Sequence, residues 1–252
     1  MKFIVIKIGG STLSDMHTSI INNIKHLRSN NIYPIIVHGG GPFINDALSN
    51  QQIEPHFVNG LRVTDKATMT ITKHTLIADV NTALVAQFNQ QQRSAIGLCG
   101  LDAQLFEIKR FDQQYGYVGV PTTLNIDSLS YLCTKFVPII NSIGFNNHDG
   151  EFYNINADTL AYFIAASLEA PIYVLSNIAG VLIIPQLPLV DIHQYIEHGD
   201  IYGGMIPKVL DAKNAIENGC PKVIIASGNK PNIIEAIYNN DFVGTTILKS
   251  SV

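Results

Sequence analysis

Arginine is scarce in this sequence. Arg28, Arg62, Arg93 and Arg110 are the only four in 252 residues, the formal net charge is −4, and no long basic run occurs. The electrostatic footprint that nucleic-acid binding requires is therefore absent. Cysteine is nearly as sparse: Cys99, Cys133 and Cys220 are widely spaced, odd in number and form no CxxC pair. That argues against a disulfide framework or a thiolate metal site, and it fits packing residues in a reducing compartment. Long apolar runs are also missing, none approaching the roughly 18 residues that a membrane-spanning helix needs. The apolar N-terminus, Met1 to Gly10, is broken by Lys7 and two glycines before a signal-peptide core could be complete. These absences predict a soluble, cytoplasmic protein with neither a membrane nor a nucleic-acid partner.

What is present is apolar residues in quantity: 46% of the chain, enough to bury a substantial core in one large α/β domain or two fused lobes. Short β-branched runs at Phe3–Ile8, Tyr33–Val37, Ser94–Leu98, Val137–Asn141, Ile172–Leu175 and Lys222–Ala226 read as buried strands. Between them, Ser19–Ser29, Phe43–Gln51, Lys66–Gln91, Ile126–Cys133, Asn156–Glu169 and Pro207–Asn218 carry apolar residues at helical spacing, with start signals at Asp65 and Asp127. This rhythm predicts βαβ units and a mainly parallel sheet. Leu105–Val118, with its Gln113–Gly116 turn, and Gly144–Tyr153 break it and read as antiparallel hairpins attached to that sheet. No repeat, linker or low-complexity segment divides the chain. The expectation is one domain over 1–252, with lobes of about 1–170 and 171–252 sharing one continuous sheet.

Five segments could carry chemistry. Lys7-Ile8-Gly9-Gly10-Ser11 closes the first strand, where glycines admit a ligand to the backbone and Lys7 offers charge. Alone, a Gly-Gly turn beside a solvated lysine explains it equally well. Ile35 to Pro42 ends a strand in three glycines, with a proline suited to the first turn of a helix. Backbone N–H groups of this turn and the positive helix end would then face a carboxylate or phosphate, a plain tight turn being the other reading. The spacing is neither GxxxxGK[ST] nor GxGxxG. Asn59 to Asp65 places Arg62 before a helix start, as a bidentate carboxylate grip or as a surface ion pair. Tyr153 to Asp158 opens another helix: capping accounts for Asn156 and Asp158 but leaves Asn154 over. Gly203 to Lys208 puts a lysine at a helix N-terminus, against the macrodipole, which a nearby anion would rationalise. The eight histidines show no HExxH or other tight ligand spacing, and His38 reads as a packed or capping residue.

Taken as an ordered set, KIGGS, VHGGGP, NGLRVTD, NINAD and GGMIPK resemble the acetylglutamate kinases of the amino-acid kinase family, from Lys2 to about Leu248. The resemblance implies a three-layer αβα sandwich around a mainly parallel sheet, an N-terminal lobe for the acyl substrate and a C-terminal lobe for ATP. It implies that Lys7 and Lys208 stabilise the transferring phosphoryl group and that Asp158 organises those lysines. Gly40 and Gly41 match backbone donors to N-acetyl-L-glutamate, and Arg62, Asn154 and Asn156 match side-chain contacts to it. Gly9, Gly10, Ser176, Asn177, Gly180, Val181, Leu182, Gly203 and Gly204 fall on the nucleotide loops. Asn177 stands where an aspartate is common, and Tyr202 is bulky for its place. ATP with Mg2+, no protein-bound metal, and a homodimer formed through the 66–91 helix are further implications. The first strand begins within three residues of Met1, from which the resemblance implies a dimer without strong arginine feedback. Rival readings are a kinase of the same fold acting on another small acid, and a non-catalytic nucleotide sensor.

Overall fold

The structure, a computed structural model, describes residues 1–13, 18–91, 94–177, 186–203, 205–241 and 244–249. Strand β1 (Lys2–Ile8) is followed by the single turn α1 (Gly10–Leu13) and by α2 (Ser19–Ser29), whose Ile20, Ile24 and Leu27 recur at helical spacing and are buried. Strand β2 (Ile32–His38) runs into α3 (Gly41–Asn50), and the two-residue strands β3 (Phe57–Val58) and β4 (Leu61–Arg62) pair next. Helix α4 (Lys66–His74) starts at Asp65, whose side chain accepts the Thr68 N–H. It passes through a π-helical stretch at Thr75–Asn81 into α5 (Thr82–Gln90), so the single expected helix contains a wider turn. Then come β5 (Ala95–Leu98), β6 (Phe106–Arg110), β7 (Gly119–Leu124), α6 (Ile126–Lys135), β8 (Val137–Asn141), β9 (Ile143–Asn146), β10 (Glu151–Asn154) and α7 (Ala157–Ser167). The chain ends with β11 (Ile172–Ser176), β12 (Gln186–Pro188), α8 (Ile192–Glu197), α9 (Met205–Glu217), β13 (Lys222–Ser227), α10 (Ile233–Tyr238) and β14 (Gly244–Leu248).

The fold is α/β with a mainly parallel central sheet, and the chain packs as two compact units. One consists of Met1–Pro34 with Ala161–Val252, so the first strand shares a unit with the C-terminal third. There β1, β11 and β13 run parallel, β14 is antiparallel to β13, and β12 is parallel to β14. Val5, Ile6, Ile8, Leu175 and Ile225 are completely buried. The other unit is Ile35–Leu160, in which β2, β8 and β5 run parallel. Ile44, Leu48, Met69, Leu76, Cys99 and Ile143 form an apolar cluster beneath α3.

Some local expectations are corrected. The hairpins β6–β7 and β9–β10 are separate two-stranded sheets rather than extensions of the parallel one. The second strand of the first hairpin begins at Gly119, beyond the expected limit of Val118. A 3-10 turn at Gln113–Tyr115 lengthens the connection, and Gly116, at φ +71°, lies against the Thr64 backbone. Helix α6 is capped by Asn125, which accepts the Ser128 N–H, while Asp127 sits in its first turn. Among the described residues no helix is long and apolar enough to cross a membrane.

Candidate active site

In the unit Ile35–Leu160, the buried run Ile35-Ile36-Val37 delivers the chain to the glycine turn. Burying three such side chains is worth roughly 1.5 to 3 kcal/mol each, so the position of this strand end is fixed by the core. The turn itself has no room for side chains: a Cβ at Gly40 would lie 2.7 Å from the Leu76 methyl, and one at Gly39 would lie 3.0 Å from the Ala157 Cβ. The Gly40 carbonyl accepts the Ile44 N–H at 2.9 Å, which starts α3 with Pro42 in its first turn. The first N–H groups of the helix have no partner within it and point toward whatever lies before its N-terminus.

Arg62 is brought to that turn by the β3–β4 pairing, in which it stands opposite Phe57. Its Nη2 donates to Asn45 Oδ1 at 2.6 Å and to the Gly41 carbonyl at 3.4 Å, and its guanidinium carbon lies 4.7 Å from the Phe57 ring centre. The side chain is 8% exposed, and its Nη1 is buried without a hydrogen-bond partner. Burial pulls its pKa below the usual guanidinium value, but a guanidinium stays charged. The surface ion pair that would explain Arg62 in isolation is therefore excluded. A buried cation with an open donor is costly unless an anion completes it.

Asn154 ends β10 and donates through Nδ2 to Thr64 Oγ1 at 3.2 Å, and that hydroxyl donates to the Arg62 carbonyl at 3.0 Å. Asn154 and Arg62 thus belong to one hydrogen-bonded network. Asn156 caps α7, its Oδ1 accepting the N–H groups of Asp158 at 2.8 Å and Thr159 at 3.2 Å. Asp158 follows in the first turn, where a carboxylate complements the helix dipole.

In the unit of Met1–Pro34 with Ala161–Val252, Lys7 is 8% exposed on β1, and its Nζ lies 3.9 Å from where a Gly9 side chain would begin. The Gly9 N–H donates to the Leu175 carbonyl at 3.0 Å and the Gly228 N–H to the Ser176 carbonyl at 2.8 Å. Lys7, Gly9, Ser176 and Gly228 therefore gather at the carboxyl ends of the parallel strands β1, β11 and β13, where α/β sheets bind ligands. Gly10 opens α1, Asn177 is exposed just past β11, and Gly203 takes φ +57° shortly before α9, whose first turn carries Lys208. Gly180, Val181, Leu182 and Gly204 lie outside the described residues.

Sequence reasoning passed over Asn45, Thr64, Asn81 and Gly228. Thr64 lay inside the NGLRVTD motif, and a glycine ending a buried strand could have marked Gly228. Nothing in the sequence singled out Asn45 or Asn81.

The chain belongs to the amino acid kinase family, whose model matches residues 2–227. Acetylglutamate kinase of Staphylococcus aureus (strain MRSA252) is 96% identical over 256 aligned residues, covering all of both chains. Among solved structures, smu.665 from Streptococcus mutans UA159 superposes with a TM-score of 0.85 at 29% identity, over 98% of this chain and 99% of that one. Carbamate kinase from Giardia lamblia bound to AMP-PNP shares the fold, with a TM-score of 0.68 at 16% identity over 99% of each chain.

Proposed function

We propose that this chain catalyses the ATP-dependent phosphorylation of the side-chain carboxylate of N-acetyl-L-glutamate, giving N-acetyl-glutamyl 5-phosphate and ADP, a step of arginine biosynthesis. The observation that carries the proposal is Arg62, a cation at 8% exposure with a buried Nη1 that lacks a partner. The α-carboxylate of the acid supplies that partner. Gly40 and Gly41 offer backbone N–H groups, Asn154 and Asn156 offer amides to the acyl group, and the acid is held by residues of the unit Ile35–Leu160. ATP, the phosphoryl donor of a kinase, is held by residues of the other unit: Gly9, Gly10, Ser176, Asn177, Gly180, Val181, Leu182, Gly203 and Gly204.

The chemistry needs little covalent help from the protein. The attacking carboxylate, with a reference pKa of about 4.3, is already ionised at neutral pH. Its oxygen forms a bond to the γ-phosphorus in line as the bond to the β,γ-bridging oxygen breaks, and that electron pair leaves on ADP. Lys7 and Lys208 offset charge that grows on the transferring phosphoryl group. Asp158 acts electrostatically rather than as a base, because the acid has no proton to surrender. Among the described residues no three His, Cys, Asp or Glu side chains gather as a metal cage. Magnesium would arrive on the phosphates of the nucleotide and neutralise charge there. We further propose a cytoplasmic homodimer joined through the helical stretch 66–90.

The test is ADP release with N-acetyl-L-glutamate, with its α-amide, and with aspartate, glutamate and carbamate. The acid should turn over and the α-amide should not. Equal rates with the α-amide would remove Arg62 from the account, and preference for another acid would replace the substrate.

A further inference from the structure

His38, the last residue of β2, is completely buried, and its two ring nitrogens have different partners. Nδ1 lies 2.8 Å from the Gly39 carbonyl and Nε2 lies 2.9 Å from Asn81 Nδ2. The same Asn81 amide donates to the Ile139 carbonyl at 2.9 Å. A carbonyl can only accept, so the NH2 end of Asn81 faces both it and His38, and Nε2 must be the accepting nitrogen. The proton of the neutral ring then sits on Nδ1 and is donated to Gly39. Asn81 is the last residue of the π-helical stretch, whose Leu76 and Val80 also pack beneath Gly40. Gly97 on β5 leaves the space that Asn81 fills, since a Cβ there would collide with Asn81 Oδ1. Residues of β2, β5 and β8 thus converge on the Asn81 side chain, and through His38 it reaches the Gly39 carbonyl.

In a trans peptide the C=O and the next N–H point in opposite directions. Holding the Gly39 carbonyl on His38 therefore aims the Gly40 N–H away from His38. Helix α3 does the same for the next peptide, because the Gly40 carbonyl accepts the Ile44 N–H and the Gly41 N–H is thereby turned outward. We propose that His38 and Asn81 are positioning residues that set the direction of the Gly40 N–H donor for the anionic acid, Asn81 selecting the His38 tautomer and His38 orienting the peptide. The proposal rests on the reading of Gly40 and Gly41 as donors to substrate.

Two measurements test it. The first is 15N NMR of histidine-labelled protein without ligands near pH 7, the His38 signal being assigned by its loss in His38→Asn. A protonated Nδ1 with a bare Nε2 is expected, and the opposite tautomer or a charged ring overturns the proposal whatever the acid proves to be. The second compares two amides. In His38→Asn the side-chain NH2 replaces Nδ1 and keeps the bond to Gly39, whereas in His38→Gln the side-chain carbonyl oxygen replaces Nε2, accepts from the Asn81 NH2 and leaves the Gly39 carbonyl without its donor. The KM for the acid should rise about tenfold more in His38→Gln than in His38→Asn, with the KM for ATP unchanged. A purely structural role would lower the maximal rate of both variants alike with the KM for the acid unmoved, and that result overturns the proposal. A wild-type enzyme that ignores N-acetyl-L-glutamate would instead overturn the substrate, and the comparison is then made on the acid that does turn over.

Discussion

Arg62 concentrates the account at the scale of single residues, since its open Nη1 needs a planar anion and its Nη2 is already committed to Asn45 and Gly41. Arg62→Lys keeps the charge but loses the fork, and should cost on the order of 1.5 to 3 kcal/mol, read as a higher KM for the acid with the KM for ATP little changed. A defect confined to ATP would place Arg62 elsewhere. His38 gives a second expectation. Burial lowers its pKa from 6.5 to about 4, with the Gly39 contact opposing only in part. Above pH 6.5 the ring is neutral folded and unfolded, so it contributes no pH dependence. Between pH 6.5 and 4 the unfolded chain binds a proton that the folded chain refuses, so stability falls as pH falls, by up to about 3 kcal/mol at pH 4. Chemical denaturation of His38→Asn should show a shallower acid loss over that window, and an unchanged slope would mean that His38 is not held neutral. The glycine turn beside Arg62 was legible in the sequence because three consecutive glycines are costly without a close approach, although Arg62 taken alone read rather as a surface ion pair. The role of His38 was not, since residue type alone does not reveal which neighbours surround a ring.

Elements were legible to the extent that their periodicity was long. Strand Val137–Asn141 and helix Ser19–Ser29 have the expected bounds, because one is apolar throughout and the other repeats its apolar face over three turns. Seven π-helical residues inside an otherwise helical pattern shift that periodicity too little to be read, and the two-residue strands β3 and β4 have no pattern of their own. The connection before β7 was misread for a similar reason: its shape is set by Thr64, about fifty positions upstream. The Thr64 N–H donates to the Tyr115 carbonyl at 2.9 Å and the Tyr117 N–H to the Thr64 carbonyl at 2.7 Å, clasping Gly116 between them. Gly116→Ala would force an L-residue to φ +71° with its Cβ against the Thr64 carbonyl. A loss of about 2 kcal/mol in chemical denaturation is expected, together with a raised KM for the acid through the Thr64–Asn154 bond. A loss below about 0.5 kcal/mol would show that the clasp yields freely.

For the whole molecule, the α/β class and the parallel strands followed from alternating apolar runs, but the placement of Met1–Pro34 with the C-terminal third did not. Periodicity identifies strands without saying which ones pair, and β1 lies parallel to β11, some 165 residues further along the chain. That pairing puts Lys7 opposite Val174, next to the strand end where Ser176 and Gly228 meet. Lys7→Ala and Lys208→Ala should each lower kcat far more than they raise either KM, because the charge these residues meet is greatest in the transition state. Near-normal turnover in both would end their assignment. All these expectations depend on the formation of an acyl phosphate on one particular acid. The direct measurement is hydroxylamine trapping during turnover with MgATP. N-acetyl-L-glutamate should yield its hydroxamate in step with ADP, whereas aspartate, glutamate and carbamate should not support turnover. ADP release with N-acetyl-L-glutamate but no hydroxamate, or turnover only with another acid, would contradict the account.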